Sequence, residues 1–87
     1  MGDGDSERAR PAVGQIWRGM KKGETWLVVR IAKLTKGTPS TASRAQCEMM
    51  EQDEGGRWVR RVTAWGEYYN TSVKLARFGR DFELVSS

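Results

Sequence analysis

Eight cations and four aromatic rings are interleaved along this chain: Arg18, Lys21, Lys22, Arg30, Lys33, Arg57, Arg60 and Arg61 with Trp26, Trp58, Tyr68 and Tyr69. Lysine and arginine neutralise phosphates and release the counterions condensed on a nucleic-acid backbone. A flat ring offers a face on which an unpaired base stacks, worth about 1–3 kcal/mol per base. These twelve residues are the candidate nucleic-acid-binding set. Tryptophan, tyrosine and arginine are also the residue types that dominate protein–protein hot spots, so the same set would serve a protein partner. A small domain needs large side chains for its core, and against that demand Trp17 and Trp65 are expected to pack while Trp26 and Trp58 are the expected surface rings.

Other chemistries find little to build on. The chain has no histidine, so neither a Ser-His-Asp nor a Cys-His arrangement can form, and the commonest general base is missing. With one cysteine and no histidine, no cofactor or metal site is expected. Glu48, Glu51, Asp53 and Glu54 cluster where a strand runs into a turn, the position of a solvated charge run. Gly55 and Gly56 belong to no phosphate-binding glycine motif. Cys47 sits in the alternating segment Ala45-Gln46-Cys47-Glu48-Met49 and reads as a small buried hydrophobe.

Eighty-seven residues fit one domain with a single core. The formal net charge is +4; the first eleven residues carry two arginines and three acids, −1 in sum, which leaves +5 on the rest. This balance favours an acidic partner without demanding one. Residues 1–11, with Asp3, Asp5 and Glu7 among glycines, are expected to be a disordered tail ahead of a domain over 12–87. No stretch approaches the ~20 apolar residues of a membrane span, and the N-terminus lacks the pattern of a secretory signal. One unpaired thiol suits a reducing compartment. A cytoplasmic protein is therefore expected, with no membrane partner.

The elements that must position the candidates read as short strands. Val13 to Arg18 opens the ordered part, and Gly19 to Gly23 forms a basic turn. Thr25 to Leu34 is the strongest strand, with Leu27, Val29 and Ile31 facing inward and Trp26, Val28 and Arg30 on a second, partly covered face. Antiparallel pairing of these strands would gather Arg18, Lys21, Lys22, Arg30, Lys33 and Lys36 into a basic stripe. Lys36 to Ser43 is a polar surface loop, Arg44 to Gln52 a third strand, and Asp53-Glu54-Gly55-Gly56 a tight turn into a returning strand from Arg57 to Trp65. The adjacent Arg60 and Arg61 break its alternation, as a bulge or edge would. Gly66 to Phe78 fits strand, loop or helix. Ala76 to Gly79 reads as a helical turn, and Asp81 to Val85 as the last strand.

Gly14-Gln15-Ile16-Trp17, the long strand Trp26 to Leu34, and Val73-Lys74-Leu75-Ala76-Arg77-Phe78 followed by Phe82-Glu83-Leu84-Val85 together resemble SH3-like barrel proteins. More narrowly, they are similar to short, mostly uncharacterised barrel proteins of actinobacteria and their phages. The resemblance spans roughly residues 13 to 85, and Trp65 to Thr71 stands outside its compact pattern as an insertion. It implies an all-β fold: a small SH3-like antiparallel barrel of five to six short strands with one short helical turn. Such barrels include nucleic-acid binders, peptide binders and viral inhibitors of host proteins. The leading expectation is a non-enzymatic module binding DNA or RNA. The alternative is a protein-interaction module, such as a phage-encoded factor that modulates a host protein, and an exposed strand edge would also allow a homodimer.

Overall fold

A computed structural model describes residues 10–86. The tail expected over 1–11 lies, apart from Arg10 and Pro11, outside the described residues. Six strands follow one another, β1 (Ile16–Gly19), β2 (Val28–Thr35), β3 (Arg44–Gln52), β4 (Trp58–Arg60), β5 (Asn70–Lys74) and β6 (Phe82–Ser86), with one 3-10 turn (Leu75–Arg77) before the last. Every pairing between these strands is antiparallel. The sheet order is β4-β3-β2-β1-β6, and β5 shares with β4 the edge of β3 opposite β2. The all-β, antiparallel architecture read from the sequence is the architecture of the chain.

Alternation explains the core. On β2, Val29 and Ile31 are fully buried; Cys47, the partner of Ile31 on β3, and Ala45, two residues before it, extend the same inner face. Val73 of β5, Phe82 of β6, Trp17 of β1 and Phe78, just past the 3-10 turn, close over them. Trp17 meets Phe78 edge to face at 5.2 Å between centroids, and Phe78 lies 5.5 Å from Phe82. The indole N–H of Trp17 is not stranded by burial, because it donates to Gln15 Oε1 at 3.1 Å. Leu27 packs against this cluster as an inward residue should.

The opposite face holds a second, smaller cluster of Ile16, Val28 and Met50, with Trp58 and Val85 against it. Val28 lies on this face, as the alternation along β2 requires. Met50, which shares the outer face of β3 with Gln46 and Glu48, is buried by this cluster. A β-bulge at Ala32, between Ile31 and Lys33 of β2, shifts the register and bends the strand. Beyond it, Lys33 pairs with Gln46 and Thr35 with Arg44, so the far half of β2 keeps its polar residues on the outer face.

Boundaries moved where local signals were weak. β1 begins at Ile16 rather than Val13, and Trp26 falls in the loop ahead of β2 rather than on the strand. The returning strand ends at Arg60 instead of Trp65. The helix that Val62, Trp65, Tyr69 and Val73 would permit does not form: Gly66 adopts φ +83°, a turn conformation that closes a hairpin. The 3-10 turn sits one residue earlier than expected, and Gly79 takes the positive φ that follows it.

Candidate nucleic-acid interface

Cross-strand neighbours share a face, so the registers define one surface across β2, β3 and β5. Arg30 stands opposite Glu48 and Glu48 opposite Asn70; Lys33 opposite Gln46 and Gln46 opposite Ser72; Thr35 opposite Arg44 and Arg44 opposite Lys74. Arg60, at the end of β4, adds its guanidinium to the same surface through a bond to Asn70 Oδ1 at 3.1 Å. The outer face is thus a polar platform of Arg30, Lys33, Arg44, Arg60 and Lys74 with a single acid, Glu48. Five cations against one carboxylate leave +4.

The cations fall into two groups. Glu48 is shared: Arg30 Nε donates to its Oε1 at 2.8 Å, and Arg60 Nε lies 3.2 Å from its Oε2. The Arg60 contact is close enough for charge attraction but misaligned, and this Nε is the one buried side-chain nitrogen among the described residues without a hydrogen bond. Lys33, Arg44 and Lys74 meet no carboxylate among the described residues. Arg44 is held by neutral acceptors, its Nε donating to Ser72 Oγ at 2.7 Å and its Nη2 to the Ser72 carbonyl at 3.2 Å. Its charge is therefore oriented but not neutralised.

A hairpin adjoins this platform. At Met49 the edge of β3 forks: the Met49 N–H donates to the Tyr69 carbonyl and the Met49 carbonyl accepts from the Arg61 N–H. Between those points residues 61–69 leave β3 and pair with themselves through Tyr69 N–H to Arg61 carbonyl, the Val62–Tyr68 bridge and Thr63 N–H to Glu67 carbonyl. Thr63 Oγ1 accepts from the backbone N–H of Trp65 and of Glu67, and Gly66 supplies the left-handed residue, so the tip is a defined turn. Trp65 stands at that tip with 88% of its surface exposed. The expectation that Trp65 packs is overturned, because its segment leaves the sheet before reaching the core.

The rings of the hairpin point both ways. Tyr68 covers Arg60, whose guanidinium carbon lies 3.7 Å from the ring centroid, and the ring remains 54% exposed. Tyr69, one residue on, faces the other side and is 43% exposed. Trp26 is 57% exposed in the β1–β2 loop, its indole N–H donating to the Gly23 carbonyl, with Arg61 at 5.8 Å from its ring.

Of the twelve candidates, the outer platform brings together Arg30, Lys33, Arg60 and Tyr68. Trp58 lies beside it, half-buried in the second cluster rather than free for stacking. Arg18 shares the outer face but is paired with Glu83. Lys21 and Lys22 stand in the β1–β2 loop, where Lys21 lies 4.0 Å from Asp81; Arg57 pairs with Asp53 at the hairpin turn, and Arg61 with Glu51. The stripe expected along β1 and β2 is interrupted: Glu83, Asp81 and Glu48 reach Arg18, Lys21 and Arg30, while Lys22, Lys33 and Lys36 meet no carboxylate among the described residues. Arg44, Lys74 and Trp65 were missed. Alternation of Arg44-Gln46-Glu48 against the buried Ala45 and Cys47 carried the signal for Arg44, and Thr63 with Gly66 marked a turn that would expose Trp65.

Asp81 and Arg77 serve the fold. Asp81 is buried among Arg77, Arg80 and Lys21; hydrogen bonds from Arg80 and then Arg77 hold its carboxyl below the usual range. Arg77, raised by its bonds to Asp81 and then Glu24, ties the 3-10 turn to the β1–β2 loop. Glu48, Glu51 and Asp53 are all ion-paired, and no acidic cluster fit to hold a metal occurs among the described residues. Burial pushes the Cys47 thiol up to about 11 from 9.0. Native protein is therefore expected to resist Ellman's reagent at pH 8, with labelling only at the rate of unfolding; prompt stoichiometric labelling would contradict the packing. Because unfolding lets this thiol ionise near 9.0, its contribution to stability is intact below that pH and is lost as the pH climbs toward 11.

The chain matches no protein-family model, no curated protein and no solved structure. No helix among the described residues is long and apolar enough to cross a membrane.

Proposed function

We propose that this domain is a non-enzymatic nucleic-acid-binding module whose outer sheet face contacts the phosphate backbone, and that its fold belongs with the SH3-like barrels. The order of elements supports the kinship: a long loop after the first strand, a tight turn after the third, and a 3-10 turn before the last. The observation that carries the function is the trio Lys33, Arg44 and Lys74, three cations on one polar surface with no acid to neutralise them. Surfaces that bind folded proteins centre on apolar anchors. This one instead offers Thr35, Gln46, Asn70 and Ser72 between its charges, the hydrogen-bonding groups that position a sugar–phosphate chain.

The test is fluorescence anisotropy with an end-labelled, mixed-sequence oligonucleotide at 50 mM and 300 mM salt. Three phosphate contacts at about 0.7 each in the log–log slope predict a loss of about fortyfold across that range. Absence of binding at 50 mM salt would overturn the proposal. A second reading, a protein-interaction module, has one observation in its favour: Trp65 and Val62 are exposed together on the hairpin.

A further inference from the structure

Resting on that reading, we infer that the ligand is single-stranded, and that the 61–69 hairpin is the stacking element while the platform holds the phosphates. Tyr68 is two residues ahead of Asn70 on the line that continues through Ser72 to Lys74, so the outer residues of β5 lead from the cations to the ring. At about 3.3 Å per residue, Lys74 and Tyr68 are about 20 Å apart along that line, and Trp65 lies beyond it. A strand laid along β5 would meet Lys74 and Arg44, then Ser72 with Gln46 and Lys33, then Asn70 with Arg60, and reach two rings in succession.

The ring geometry fits bases. Arg60 occupies one face of Tyr68, and since the arginine is largely covered while the ring is 54% exposed, the opposite face of the ring is the one turned to solvent. The cation beneath fixes the ring's orientation and leaves a flat surface for one base. The Thr63-braced turn likewise fixes the backbone that carries Trp65.

The hairpin is a two-stranded ribbon, and ribbons can enter the major groove of a duplex. The chemistry of this tip argues against that use. Residues 62–67 read Val-Thr-Ala-Trp-Gly-Glu, with no cation and one acid, whereas a ribbon in a groove lies between two walls of phosphate. In a duplex the bases are also already stacked on each other and leave nothing for Tyr68 or Trp65 to hold. Only an unpaired strand uses both halves of the surface.

The experiment compares a labelled 12-nucleotide DNA strand, the RNA strand of the same sequence and the corresponding DNA duplex, each at 50 mM salt, against native protein and the variants Tyr68→Ala, Trp65→Ala and Tyr68→Phe. One or both single strands should bind at least tenfold more tightly than the duplex, the better of the two identifying the sugar. Each alanine variant should lose roughly 5- to 150-fold for the single strand and leave duplex binding unchanged, while Tyr68→Phe, which keeps the ring, should match native protein. Circular dichroism melting of the variants separates lost stacking from lost fold. A duplex bound as tightly as the strands, or folded alanine variants that bind the strand normally, would sink this inference and leave the nucleic-acid reading standing. Failure of all three oligonucleotides to bind would sink both and turn attention to a protein partner.

Discussion

Trp17→Ala is expected to destabilise the domain by about 3–5 kcal/mol, the usual cost of truncating a large buried aromatic residue. The side chain is 2% exposed and stands among Val29, Ile31, Phe78 and Phe82, so its loss leaves a void that no neighbour can fill without moving. It also removes the edge-to-face contact with Phe78 and leaves the Gln15 side chain without the indole donor. A chain of this length has a total stability on the order of 4–13 kcal/mol, so the substitution spends a large share of it. Urea titration followed by far-ultraviolet circular dichroism would show the midpoint fall or the folded baseline vanish at 25 °C. A midpoint within experimental error of the native one would mean that the core is not organised around this ring. Trp17→Phe, which keeps an aromatic ring in the same space, should lie between the two.

The second large effect concerns binding. Replacing Lys33, Arg44 and Lys74 together by glutamine removes the three unneutralised charges of the outer face without introducing new ones. Three contacts at about 0.7 each in the salt slope are worth about five-hundredfold between 1 M and 50 mM salt, which is the loss expected at 50 mM. The slope itself should flatten by about 2. Removing Arg18, Lys21 and Arg57 in the same way should matter far less, since each already faces Glu83, Asp81 or Asp53. Comparison of the two triple variants by anisotropy checks the assignment, and equal losses from both would show a diffuse charge effect instead of a defined surface. Melting curves for both keep the comparison between folded proteins.

Much of the fold was legible because alternation and turn chemistry agree along most of the chain. β3 was bounded from Arg44 to Gln52 by its alternating small and polar residues, and the turn after it by Asp53 and two glycines. Both of the covered faces of β2 followed from Val28, Val29 and Ile31. The candidate surface was only half legible. Cations can be counted in a sequence, but their neutralisation depends on residues distant along the chain: Glu83 reaches Arg18 from sixty-five positions away, and Glu48 reaches Arg30 from eighteen. What remains positive is therefore a property of register, and the register past Ala32 is set by a bulge with no signature of its own. Trp65 was misplaced because a small core needs large rings. Thr63 and Gly66 did mark a turn, but that the segment leaves β3 at Arg61 and meets no core is set by the pairing of distant strands.

The fork at Met49 has a further consequence. Because β4 and β5 lie on the same edge of β3 on either side of it, and Arg61 and Tyr69 still bond to Met49, residues 62–68 contribute neither to the buried core nor to the pairing with β3. That segment could lengthen, shorten or exchange side chains while the surrounding sheet keeps its form, so what the domain touches is separable from how it folds.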